Sequence, residues 1–200
     1  VKLAPSIYLA HQKALQTGDA KYPIKRIVTK SFTVPAGQLD LTNENLFTGQ
    51  IPNRIVLGLV ENQAFNGIAN RNPFNFKNFD LREISLQVDG LQLKPMELNF
   101  ENGQFIEGFM SLYAGTNKLF NDESNNISRS DFANGHALYC FDLSPDLQRD
   151  DHYSLLKSGT TRVSLKFGTA LPRTVSCICY GEFDSVISID KNRNVSCDYK

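Results

Sequence analysis

Hydrophobic and polar positions alternate with a period of two along most of this chain, and two stretches change to a helical period. "IKRIVTKSFTV" (24–34) is rich in β-branched residues and stops at Pro35-Ala36-Gly37, a strand running into a turn. "NRIVLGLVEN" (53–62) is a short apolar run bounded by Asn and Pro. In "LREISLQVDG" (81–90) Ile84, Leu86 and Val88 share one face. Asp89-Gly90 then predicts a tight hairpin with "LQLKPMEL" (91–98) as the return strand. "HALYCFDL" (136–143), "TRVSLKF" (161–167) and "TVSCICYGEF" (174–183) read as further strands. "SVISID" (185–190) reads as a continuation or a partner of the last, and the polar tail "KNRNVSCDYK" (191–200) is expected to leave the sheet.

The helical period occurs first in "APSIYLAHQKALQTG" (4–18), where Ile7, Ala10, Ala14 and Leu15 recur between Pro5 and Gly18. It returns in "NGQFIEGFMSLYAGTN" (102–117). There Phe105, Ile106, Phe109, Met110, Leu112 and Tyr113 form a stripe, with Asn102 the expected N-cap and Gly115 the expected C-terminal cap. That stripe is expected to pack in the core. "NDESNNISRSD" (121–131) has no pattern and reads as a surface loop. About eight strands with evenly spaced turn signals, no βαβ alternation and no repeat predict an all-β fold. It is an antiparallel sandwich of one domain with one or two helices inserted in loops.

Composition narrows the function. Lys plus Arg total 21 and Asp plus Glu total 21, a net charge of zero, which argues against a protein whose main task is gripping a nucleic-acid backbone. No apolar run is long enough for a membrane helix. Two hundred residues suffice for a core without disulfides or metals, and Val1 in place of Met is expected of a fragment or processed product. Cys177 and Cys179 are spaced C-x-C, which on a strand places both on one face as small core residues; Cys140 and Cys197 complete no disulfide framework. The sequons at Asn126 and Asn194 are discounted, since such short motifs arise by chance.

Chemistry is sparse. The motifs of the α/β-hydrolases, zinc proteases, P-loop and dinucleotide-binding proteins are missing, so no enzyme activity, cofactor or metal is expected. Asp150, Asp151 and His152 stand together, yet they read as the first turn of a short helical connection, where carboxylates complement free N–H groups. A pair of Cys140 with His136 or His152 is disfavoured because Cys140 lies in an apolar strand, and His11 is read as solvated or structural. Lys25, Arg26 and Lys30, interleaved with Ile and Val, suggest a solvated sheet face or a subunit contact. The Asn-rich stretch 62–80 holds Phe65, Phe74, Phe76 and Phe79. Asn tolerates left-handed backbone and fixes loop shape, so the four rings are the candidate subunit-contact loop.

Several long blocks carry a resemblance: "YPIKRIVTKSFTVPAG" (22–37), "NLFTGQIPNRIVLGLVENQAFNG" (45–67), "NPFNFKNFDLREISLQVDG" (72–90), "DFANGHALYCFDLSPDL" (131–147) and "LPRTVSCICYGEFDSVISIDKNRNV" (171–195). From about Tyr22 onward the chain resembles the major capsid (hexon-type) protein of Maverick/Polinton elements and adintoviruses. The resemblance implies a double jelly-roll protein of which residues 22–200 are the C-terminal, eight-stranded jelly roll and residues 1–21 a helical or linker segment. It implies a homotrimeric capsomer of an icosahedral shell and neighbouring capsomers and penton or minor capsid proteins as partners. A virion location after assembly inside the host cell also follows, with no sequence-specific nucleic-acid binding and no membrane insertion. Cys177, Cys179 and Cys197 depart from the family pattern. The alternatives are a jelly-roll carbohydrate- or receptor-binding module, with Tyr113, Tyr139 and Tyr153 as candidate contacts, and a single jelly-roll minor capsid (penton) protein.

Overall fold

The computed structural model describes residues 4–120, 122–144 and 157–199. The chain divides into two compact units, residues 27–183 and residues 1–26 with 184–200.

The larger unit is a two-sheet sandwich. One sheet has the order β1 (Ala20–Val34), β9 (Val175–Ile189), β3 (Arg54–Glu61), β7 (Leu138–Asp142). The other has the order β2 (Asp40–Gln50), β8 (Ser158–Phe167), β4 (Leu81–Val88), β5 (Leu91–Gln92), with β6 (Met96–Glu97) also on β4. Strands β1 to β4 fall alternately in the two sheets, and so do β7 to β9. That wrap, with antiparallel neighbours, is the jelly roll. Its core joins the inward faces of both sheets, with Ile55, Leu57 and Leu59 of β3 meeting Ile84, Leu86, Val163 and Leu165. Each such aliphatic side chain contributes about 1.5–3 kcal/mol on burial.

The alternating stretches form the expected strands. Asp89 (φ 48°) and Gly90 (φ 82°) make the hairpin turn, with Val88 paired to Leu91. Two positive φ values in succession are what a two-residue turn needs to match strand twist. "SVISID" continues β9 up to Ile189. Strand β2 had no clear signal in the sequence. It is polar, and a register shift between Asn43 and Phe47 breaks its alternation, so Leu46 and Phe47 are both buried.

The second helical period gives α3 (Ile106–Gly115), with a correction at each end. Asn102 does not cap it; Phe105 holds the N-cap position and Asn102 lies in a turn whose backbone N–H donates to Asn99 Oδ1. Gly115 is the last helical residue with ordinary φ, and Asn117 (φ 57°) supplies the left-handed residue, while Lys118 N–H returns to the Tyr113 carbonyl. Gly115 is needed for space: a methyl there would overlap Cys140 Sγ and lie 2.7 Å from Cys140 Cβ. Within the stripe Phe105 and Leu112 are buried, while Ile106 and Met110 face outward. Residues 121–131, expected as loop throughout, end in the short helix α4 (Arg129–Ala133), started by a reciprocal capping box between Ser128 and Asp131. The S-x-x-D spacing carried that signal. Another short turn, α2 (Asn62–Phe65), follows β3.

In the smaller unit α1 (Pro5–Thr17) forms from the first helical period and buries none of its residues. The tail does not leave the sheet. β10 (Val195–Cys197) pairs antiparallel with β9, Val195 opposite Ile189, after a turn in which Asp190 accepts the N–H groups of Asn192 and Asn194. Asp190 is the residue that fixes this turn, which composition alone does not reveal.

A candidate assembly surface

Two features of the larger unit bear on what it can bind: the edge at β7, which α3 covers, and the loop 62–80.

β7 ends its sheet, and an open strand edge invites uncontrolled pairing. Helix α3 covers it. The Cys140 N–H donates to Ser111 Oγ at 3.3 Å, and Ser111 Oγ donates to the Gly108 carbonyl at 2.7 Å. Gly108 and Gly115 let the helix approach. Arg54 of β3 ties down the far end: Nη1 donates to the Gly115 carbonyl at 2.7 Å and Nη2 to Glu182 Oε2. A cation there complements the C-terminal end of the helix dipole. Burial works against the guanidinium charge, but the Glu182 carboxylate outweighs it and raises the Arg54 pKa.

The loop 62–80 is long but fixed at many points. Asn62 N–H donates to the Thr174 carbonyl at 3.1 Å and its amide to Ser176 Oγ at 2.9 Å. Glu61 Oε2 binds Arg71 at 2.6 Å and Arg173 at 3.7 Å, and Oε1 binds Lys77 at 3.0 Å. The Lys77 hydrogen bond is the main reason the Glu61 carboxyl titrates below its usual range. Sequence reading missed this cluster because the carboxylate is on β3, two of its cations are in the loop and the third is in the β8–β9 connection, and only folding brings them together.

The four candidate rings divide in two. Phe76 lies in the notch left by Gly58, where a methyl would come within 2.7 Å of the ring and 2.8 Å of Leu138. Its backbone pairs with the 135–137 segment. Phe79 packs on the core, and its backbone (φ 49°) and that of Asp80 (φ 55°) are left-handed. Asn78 Oδ1 holds this turn by accepting the Asp80 N–H at 3.0 Å. A bulky residue there costs about 1–3 kcal/mol, offset by Phe79 burial. Phe65 (45% exposed) and Phe74 (73%) face solvent instead, and Ile68 of the same loop is 44% exposed. The loop is therefore pinned by two rings and presents two.

Among the described residues the remaining sequence candidates do not converge. Asp150, Asp151, His152 and Tyr153 lie outside the described residues. His11 lies on α1, in the smaller unit; His136 follows α4; among the described residues no three His, Cys, Asp or Glu side chains are placed to hold a metal. Cys140 is buried against α3. Cys177 and Cys179 are core residues with Sγ atoms 3.7 Å apart; that contact, then burial, pushes the Cys177 thiol pKa up. Tyr139 is fully buried, which removes it as a ligand contact, and the Tyr113 hydroxyl donates to the Ile127 carbonyl. Lys25 lies on an exposed strand face, Arg26 stacks on Tyr199 and donates to Ser185 Oγ, and Lys30 lies over the Phe47 ring. No helix among the described residues is long and apolar enough to cross a membrane.

No protein-family model matches the chain. It is 32% identical over 179 residues to an uncharacterised protein of Caenorhabditis elegans, covering 87% of this chain and 43% of that one. Among solved structures it superposes on a chain of the Sputnik virophage (TM-score 0.54, 15% identity, 90% of this chain and 39% of that chain). It also superposes on the mavirus major capsid protein (TM-score 0.50, 11% identity, 90% and 41%). A third match is the PBCV-1 virus capsid (TM-score 0.50, 12% identity, 91% and 52%). The chain thus has a jelly-roll fold shared with viral capsid structures, and it spans about half or less of the length of each protein it matches.

Proposed function

We propose that this chain is one jelly roll of a viral-type major capsid protein of the Maverick/Polinton and adintovirus kind. It acts as a structural subunit, without catalysis, in a trimeric capsomer of an icosahedral shell. The observation that carries this reading is the shared fold over nine-tenths of the chain with capsid structures that are each about twice as long or longer. That ratio fits residues 22–200 as half of a double jelly roll, the C-terminal half by the resemblance, with residues 1–21 as the segment leading into it. The pinned loop with outward Phe65 and Phe74 is the kind of pre-organised aromatic contact a shell subunit needs. Neighbouring capsomers and penton proteins are the partners this role requires, and the assembled virion is its location.

The test is electron microscopy and sedimentation of the 200-residue chain and of the longer protein that contains it. Assembly into pseudo-hexagonal capsomers, with the longer protein sedimenting as a trimer, is the expected result. A strict monomer at every concentration in both forms, or saturable glycan binding by that monomer, overturns the reading.

A further inference from the structure

The outward part of loop 62–80 and the flank of α3 are complementary in both polarity and charge. Around Glu61 the loop surface gathers Arg71, Lys77 and Arg173, three cations against one carboxylate, a net charge of +2. Phe74 of the same loop is 73% exposed. Residues 94–123, which include α3 and its connections, carry two lysines (94, 118) and five carboxylates (97, 101, 107, 122, 123), a net charge of −3. That region exposes Phe120 (93%), Ile106 (43%) and Met110 (38%). The two surfaces come from different parts of one chain, and each has an aromatic ring, Phe74 or Phe120, that is largely exposed.

We infer that the loop 62–80 surface of one copy docks on the α3 flank of a second copy, head to tail. This rests on the assembly reading above and names its surfaces. A contact of this type uses two different patches, so an open series of copies keeps one free head and one free tail at its ends, and it closes as a ring when the rotation permits. Opposite charge at the rim sets the register and repels wrong pairings, while the rings supply desolvated area. The loop loses little conformational freedom on docking, because Phe76, Phe79 and Glu61 already hold it.

Charge reversal tests the pairing. Gln63→Glu/Asn70→Glu/Arg173→Glu alters exposed positions and changes the loop surface from +2 to −2, since two acids are added and one cation becomes an acid. Glu97→Lys/Asp122→Lys changes the flank from −3 to +1. Sedimentation velocity is run on the wild type, each variant and the five-fold combination, with circular dichroism to confirm that each is folded. Either reversal alone weakens self-association by about tenfold or more, and the combined chain, acidic head to basic tail, recovers it. Phe74→Ser, which removes no buried contact, weakens it as well, and added salt weakens the wild type. A wild type that assembles while ignoring both reversals and salt overturns this pairing and leaves the assembly reading standing. A combined chain no better than the single reversals also overturns it. A wild type that never associates, alone or within the longer protein, removes both.

Discussion

Gly115→Ala tests whether α3 is held to β7 by close approach. In an open helix this change stabilises by up to about 1 kcal/mol, because Ala has the better helix propensity. Here the added methyl overlaps Cys140 Sγ and sits 2.7 Å from its Cβ, with the strand backbone behind it. The helix must lift, and overpacking of this kind costs about 1–3 kcal/mol. Lifting also strains the Ser111–Cys140 hydrogen bond and the Arg54 bond to the Gly115 carbonyl, of which a charged one is worth about 1.5–3 kcal/mol. The balance is a loss of about 2 kcal/mol, a fall of about 4–8 °C in Tm for a chain of this size. Urea and thermal unfolding followed by circular dichroism measure it. Cys140→Ala in the same chain removes the sulfur and recovers about 1 kcal/mol of the loss, read as a double-mutant coupling. A Gly115→Ala protein as stable as the wild type, with no coupling to residue 140, refutes the close-packed edge.

Four further outcomes follow from the same structure. Tyr139→Phe removes a buried hydroxyl without a hydrogen-bond partner among the described residues, so stability rises or holds within about 1 kcal/mol in urea titration. Arg54→Met leaves Glu182 buried without this cation and costs about 3–5 kcal/mol, most of it recovered in Arg54→Met/Glu182→Met by the same assay. The Glu61 pKa is lowered in the fold, so its contribution is present above the unfolded carboxyl value of about 4.3 and is lost as pH falls through the folded value. Glu61→Gln therefore flattens the acid limb of a stability–pH curve. A thiol reagent meets Cys197 at once and Cys140, Cys177 and Cys179 only after unfolding; four fast thiols refute the buried placement.

Much of the architecture was legible before folding because its cause is local. Alternation in "LREISLQV" and "TRVSLKF" and the Asp89-Gly90 turn depend only on neighbours in sequence, and the structure has those strands and that hairpin. Where a second, distant partner decides the outcome, the local signal misleads. Asn102 is a good N-cap by type, yet the turn with Asn99 claims it. The tail is polar and reads as a free end, yet the Asp190 turn folds it back on β9. β2 is invisible to periodicity because its bulge turns two successive side chains inward.

The same division holds for the candidate surface. The sequence by itself determined that loop 62–80 is aromatic, Asn-rich and suited to a fixed shape. Only the tertiary structure decided which rings serve the core and which face out. Whether a ring is covered depends on what lies across from it: Gly58 leaves a notch for Phe76, while Phe74 is largely exposed. The charge of the surface was likewise undecidable from a net charge of zero, since Arg71, Lys77 and Arg173 gather at Glu61 only when β3, the loop and the β8–β9 connection meet.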